Sequence, residues 1–515
     1  MLHLLKITRL VITIEKHMKP IKNLFILFFS ISLILAGCTP ALTILPTASP
    51  LPTVPPTITL PPTATATVSP TTTAPQVPFP ALTLKPGNFY FSLNGKPSFI
   101  YSRNMAGNQV AQYYTLLDWS KAGGARFVRI QLDSLGMGYT STGSVDPNWA
   151  TTWDQVLDKA QANGIYVLLT FTAWYDWNAG AGYSTWKNNP LNQANGGTVK
   201  SPDELFQSGS ATQTMWLAWM ETLVKRWQVR KNILGWEIFS EVNLASGTTQ
   251  ANGIDFVNAA AVRMRAADPT GRPVTASMAD TGTWPDFYKQ TDIDFVNLHP
   301  YPPSGQLDRA LISQVRASLT KYNRPLLIGE SGLSADTPDS TAGKLTVAPN
   351  AERGVRHAIW AGIVSGAMNG RALWWEDGVG IYFQNLGIPW MQKYETAELP
   401  AVNFVNGVDF SGFRPLASTS TSGVWGAALG DEQAVLGWYR DAACEPPDWN
   451  LQLVVSKQTV TITVPGNATN WRVDFYDTTD GTTQLGSVSV TPKSNTITIP
   501  LPDFQDEIAF KASGR

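Results

Sequence analysis

Between residues 81 and 406 the chain alternates short apolar runs with longer amphipathic ones, and eight such units can be counted. No other feature restricts its folding as strongly. A short apolar run suits a strand buried on both faces, and an amphipathic stretch of helical length carries the chain back so that the next strand lies parallel. The pattern therefore reads as repeated strand and helix units over a parallel sheet, an α/β fold. The predicted strands are 98–104, 125–132, 165–171, 233–239, 273–277, 294–298, 325–330 and 371–375. Helical stretches lie between them at 149–162, 211–227, 256–267, 307–322 and 351–368. Eight strands in this spacing fit a (β/α)8 TIM barrel with loop insertions, with a doubly wound open sheet as the alternative. The insertion at 173–208, rich in Trp, Tyr, Asn and Gly, follows the third strand on the side where barrels build their active sites.

After residue 406 helical periodicity stops. Alternating runs appear at 434–439, 451–455, 459–464, 471–476 and 496–499, with turn sequences such as Pro465-Gly466-Asn467 and Asp480-Gly481 between them. They predict a separate antiparallel β-sandwich over 407–515. Upstream of the barrel, 38–80 is a Thr/Pro-rich linker without charge, whose extended geometry at about 3.1 Å per residue makes it a tether. Residues 1–17 read as upstream sequence, and Met18-Lys19-Pro20-Ile21-Lys22 followed by the apolar 23–35 reads as a signal peptide. Its end, Leu35-Ala36-Gly37-Cys38, resembles a bacterial lipobox, in which Cys38 is lipidated and becomes the first mature residue. A plain cleaved signal and an uncleaved anchor are the alternatives. The expected location is extracytoplasmic, lipid-anchored at the bacterial cell surface, or secreted if the signal is simply cleaved.

Composition removes several functional classes. A net charge of -1 gives no extended basic field, so nucleic-acid binding has no electrostatic support. Cys38 and Cys444 are the only cysteines, and lipidating the first excludes a disulfide framework. Beyond Cys38 only His299 and His357 remain, which disfavours histidine-rich metal sites and serine triads, and no Gly-x-Ser-x-Gly elbow sits on a suitable strand. The 19 tryptophans exceed what core packing usually requires, and their faces suit sugar rings as well as core.

Two glutamates stand out, Glu241 in Trp236-Glu237-Ile238-Phe239-Ser240-Glu241 and Glu330 in Leu327-Ile328-Gly329-Glu330. Each closes an apolar, strand-like run, where barrel enzymes place their chemistry, and two carboxyls are the minimum for cleaving a glycosidic bond. With His299-Pro300-Tyr301 after the sixth strand and Trp374-Trp375 ending the eighth, the set resembles the clan A glycoside hydrolases, most closely glycoside hydrolase family 5, the cellulase and β-mannanase type. The resemblance covers roughly residues 85–400 and rests on the order and strand positions of several motifs.

The resemblance implies a retaining hydrolase of β-linked polysaccharide or oligosaccharide, with β-mannan or β-glucan leading and no metal or organic cofactor. It assigns Glu241 as acid/base and Glu330 as nucleophile. Arg129 matches the family's barrel arginine and would hold Glu330 ionised, and pairing with Glu237, deeper on the same strand face as Glu241, is the structural alternative. Tyr301 would donate to Glu330, His299 would bond a substrate hydroxyl, and Trp374 or Trp375 would form the sugar platform. Trp174, Trp177 and Trp186 are candidate cleft walls. The family usually has asparagine at position 240, binding the sugar 2-hydroxyl, and Ser240 is this chain's departure. A non-catalytic carbohydrate-binding or adhesion lipoprotein on the same barrel is the rival reading. The terminal sandwich is read as a structural cap, with carbohydrate binding as its alternative.

Overall fold

Seven parallel strands form most of a ring: β1 (Ser102–Met105), β2 (Phe127–Gln131), β3 (Tyr166–Thr170), β4 (Ile233–Glu237), β5 (Val274–Thr275), β6 (Val296–Leu298) and β7 (Leu326–Ile328). This computed structural model describes residues 79–515 except 81, 86, 106, 108, 181–183, 333–347, 349 and 371–395. Strands β1 to β5 pair in sequence order, and β6 pairs with β7. A parallel bridge between Ser277 and Asn297, and a bond from Asp294 N–H to Val274 O at 2.8 Å, join the two sheets. The ring closes through 368–370. There Met368 N–H donates to Leu326 O at 2.8 Å, while Met368 O and Gly370 O accept from Ile100 and Ser102 at 3.3 and 3.0 Å.

This is a (β/α)8 TIM barrel. Its strands are buried along their whole length, the reason they read as near-continuous apolar runs. The predicted eighth strand, 371–375, lies outside the described residues together with Trp374 and Trp375, as do Cys38 and the linker up to residue 78.

Around the ring run α1 (Val110–Ala122), α2 (Pro147–Ala162), α3 (Ala211–Trp227), α4 (Gln250–Ala267), α5 (Phe287–Gln290), α6 (Leu307–Tyr322), α7 (Ala351–Ser365) and α8 (Leu399–Val405). Helix α4 starts six residues before the expected 256, because Thr249 and Asn252 form a reciprocal capping box there. Helix α7 ends at Ser365, short of the expected 368, where Gly366 takes a φ of 103°. No helix among the described residues is long and apolar enough to cross a membrane.

The C-terminal region is an antiparallel β-sandwich, completing the fold class. Its strands are β8 (Arg414–Leu416), β9 (Ser418–Ser420), β10 (Val424–Gly430), β11 (Ala434–Asp441), β12 (Thr459–Thr463), β13 (Trp471–Tyr476), β14 (Gln484–Val490), β15 (Thr496–Pro500) and β16 (Glu507–Gly514). A six-stranded sheet ordered β8-β10-β11-β16-β13-β14 faces a three-stranded sheet, β9-β12-β15. Val435, Tyr439, Val460, Ile462, Trp471, Phe475, Ile497 and Phe510 share the core between them.

One expected strand is absent. The run 451–455 contributes only an isolated bridge from Val455 to Phe504, with Leu453 86% and Val454 55% exposed, because the Asp441 carboxylate captures Gln452 N–H at 3.1 Å before a ladder can form.

Barrel and sandwich belong to one unit, Val77–Arg515. Buried Arg440 donates to Asp308 on α6 at 2.6 Å, and Arg356 and His357 on α7 both bond Asp506.

Candidate active site

Arg129 organises the carboxyl ends of the strands. Its side chain is fully buried inside the barrel, and Nε and Nη2 donate to Glu237 Oε2 and Oε1 at 2.5 and 2.9 Å. Nη1 donates to Glu330 Oε1 at 2.9 Å and to Asn104 Oδ1 at 3.2 Å, and Nη2 reaches Ser240 Oγ at 2.9 Å. The two roles weighed for this arginine are thus held by one guanidinium. Burial alone would lower its pKa, but the charges and hydrogen bonds of Glu237 and then Glu330 outweigh that and push it up, so it stays charged. Glu237 also accepts from Thr170 and Ser277 hydroxyls at 2.8 and 2.9 Å, so both of its oxygens are held by Arg129 and a hydroxyl.

Glu330 lies two residues beyond the end of β7. Tyr301 OH donates to its Oε2 at 3.0 Å, opposite the oxygen that Arg129 holds. The residue before it must be small: a Cβ at Gly329 would lie 1.9 Å from Asn297 Oδ1, inside the wall of β6.

Glu241 sits beyond β4 with a φ of 58°, a left-handed conformation that costs a non-glycine residue on the order of 1 kcal/mol or more. Its N–H donates to Ser277 Oγ at 3.1 Å and Val242 N–H to Ser277 O at 3.1 Å, so residues beyond β5 hold the turn that aims the carboxyl into the mouth. His299 Nδ1 lies 2.8 Å from Glu241 Oε1 and 3.6 Å from Glu330 Oε2. The buried His299 side chain meets Glu241 through Nδ1, and its Nε2, the atom left for the expected substrate hydroxyl, has no hydrogen-bond partner among the described residues. One ligand atom each from Glu241, His299 and Glu330 lies within 4.8 Å of the others.

A second layer escaped the sequence. Gln131 Nε2 lies 3.4 Å from both Glu330 Oε1 and Ser240 Oγ, and Tyr175 OH lies 3.1 Å from Gln131 Oε1 and 3.0 Å from Asp133 Oδ1. Asp133 faces Asp176 in turn. Both are buried, and burial pushes both pKa values up. For Asp176 the charge of Asp133 adds to the effect. The only signal for this layer was polar side chains at alternate positions, Arg129 and Gln131, along an otherwise apolar strand.

The tryptophans of the long insertion divide. Trp177 and Trp186 are buried and pack on one another with ring centroids 5.7 Å apart, so they are the core of that loop and not walls of the cleft. Trp174 is only partly buried and its backbone N–H donates to Ser240 O at 3.1 Å, which keeps it at the mouth.

His357, Cys444 and Asp506 form a second close set of donor atoms, buried between barrel and sandwich. Burial and then the charges of Arg440, Arg356 and Arg353 hold the His357 pKa well below its usual value, and the neutral ring and Arg356 already satisfy Asp506. The set reads as an interface lock.

An eightfold barrel with two glutamates converging at the carboxyl ends of its strands is the arrangement that retaining glycoside hydrolases use. The chain belongs to the cellulase family, glycosyl hydrolase family 5, whose sequence model matches residues 88–364. Among solved structures it is similar to a glycoside hydrolase at 11% identity, covering 85% of this chain and 97% of that one with a TM-score of 0.56. A glycoside hydrolase family 5 structure from Bacteroides vulgatus matches at 13% identity, 84% and 93% coverage and a TM-score of 0.54. A putative glycoside hydrolase from the same organism matches at 10% identity, 86% and 84% coverage and a TM-score of 0.52. Likeness at these identities shows a shared fold, extending past the family match into the sandwich. No curated protein matches the chain significantly.

Proposed function

We propose that the protein hydrolyses β-linked polysaccharide or oligosaccharide with retention of configuration, with β-mannan or β-glucan as the leading substrate. The observation that carries this reading is the spacing of the two carboxyls, which bring an oxygen each within 4.8 Å. Double displacement uses carboxyls about 5–5.5 Å apart, whereas inversion needs roughly 6.5–9.5 Å to admit a water between them. Glu330, held by Arg129 and Tyr301, attacks the anomeric carbon, and Glu241 in its acid form protonates the departing oxygen. Glu241 then takes a proton from water as that water releases the sugar from Glu330. His299, against Glu241 Oε1, leaves the other oxygen of that carboxyl for the leaving group. Both steps use these side chains and water alone.

Glu241→Ala tests the acid/base role. Its kcat on unactivated polysaccharide is expected to fall about 10²–10⁴-fold, with a much smaller loss on a dinitrophenyl glycoside whose leaving group needs no proton. Added azide should then raise turnover of the activated substrate and give a β-glycosyl azide. An unchanged rate on polysaccharide removes Glu241 from the mechanism.

A further inference from the structure

We propose that Gln131 supplies the carboxamide that binds the substrate's 2-hydroxyl beside the nucleophile, so that this function is carried by β2 in a chain whose position 240 is serine. The inference rests on the hydrolase reading above.

Ser240 reaches only one atom beyond its Cβ, and its Oγ already accepts from Arg129 Nη2 at 2.9 Å. Gln131, two residues after Arg129 on the same face of β2, places Nε2 at 3.4 Å from both Ser240 Oγ and Glu330 Oε1. The amide therefore occupies the wedge between the nucleophile and the residue preceding the acid/base. Two neighbours agree on its orientation. The Glu330 carboxylate attracts the N–H end, and the Tyr175 hydroxyl lies 3.1 Å from Oε1 at the other end. Tyr175 is anchored by Asp133, and the neighbouring Asp176 is held by Thr185 at 2.5 Å and Thr172 at 3.4 Å. Such a layer keeps an amide in one place.

Carbon 2 adjoins the anomeric carbon. When Glu330 attacks that carbon, the 2-hydroxyl lies next to the Glu330 oxygens and within reach of a donor already beside them. A hydrogen bond there strengthens as the oxocarbenium-like transition state develops. The present contacts are long, as hydrogen bonds of catalytic groups often are before substrate closes them.

The test compares kcat/KM of wild type, Gln131→Leu and Gln131→Leu/Ser240→Asn on a dinitrophenyl β-glycoside and on its 2-deoxy counterpart, using glucosyl and mannosyl series. Gln131→Leu is expected to lose about 100-fold on the 2-hydroxyl substrate and less than about threefold on the 2-deoxy one, with Ser240→Asn restoring at least about tenfold. Unfolding temperatures establish that each variant is folded, and Gln131→Met replaces the leucine variant if that one is not. Equal losses on the two substrates, or no loss on either, overturn the assignment and leave the hydrolase reading standing. A wild type that cleaves neither series nor β-mannan or β-glucan overturns both.

Discussion

Replacing Glu330 by glutamine is expected to lower kcat by about 10⁴-fold or more on every substrate, while the protein stays folded. The substitution keeps shape and removes the one group that can bond covalently to the anomeric carbon. In the wild type Arg129 Nη1 donates to Oε1 and Tyr301 OH to Oε2. A glutamine can satisfy only one of these donors with its oxygen, and the unmatched contact costs about 1–3 kcal/mol of stability. That cost is small beside the loss of the covalent step. Activated and unactivated substrates should suffer alike, unlike in Glu241→Ala, because no leaving group relieves the need for a nucleophile. Steady-state kinetics with a thermal melt on the same sample reads both quantities. Activity above about one per cent of wild type in a verified Glu330→Gln preparation would place the nucleophile elsewhere.

Arg129→Met is expected to cost about 3–5 kcal/mol of stability, a large share of the 5–15 kcal/mol typical of folded proteins, and to abolish measurable turnover. Arg129 and Glu237 are both fully buried, so removing the guanidinium leaves a carboxylate inside the barrel with only the Thr170 and Ser277 hydroxyls. Glu330 loses its ion-pair partner in the same step. The double variant Arg129→Met/Glu237→Gln should recover more than half of the lost stability, since the stranded charge goes with its partner, yet remain inactive. Urea unfolding of the two variants beside wild type measures this. A single variant as stable as wild type would mean that the arginine does not neutralise the barrel interior.

Most of the barrel was legible because parallel strands buried on both faces are apolar throughout. The runs 125–132, 233–239 and 325–330 declared their strands, which the structure ends one or two residues earlier, at Gln131, Glu237 and Ile328. Chemistry was legible where a carboxyl or a cation interrupts such a run, as at Arg129, Glu241 and Glu330. What stayed hidden depends on distant parts of the chain. Gln131, Tyr175, Asp133 and Asp176 look like ordinary polar residues at loop edges until folding stacks them behind the nucleophile. Trp177 and Trp186 have the composition of cleft walls, and only packing makes them core. The run 451–455 has strand character but meets a side-chain acceptor first, and the central place of β16 in its sheet follows from pairings far apart in sequence. The positive φ of Glu241 has no sequence signature, because its partner Ser277 is 36 residues away.

The most direct test of Glu330 as the nucleophile of a retaining hydrolase is covalent trapping. The full-length protein is incubated with 2-deoxy-2-fluoro β-glucosyl and β-mannosyl fluorides, whose substituent slows release of the sugar from the enzyme. Intact mass followed by peptide mapping locates the label. The expected result is one glycosyl group per chain, carried on Glu330 and lost on reactivation with a sugar acceptor. A label on any other residue, or complete inactivation without a covalent adduct, would contradict it.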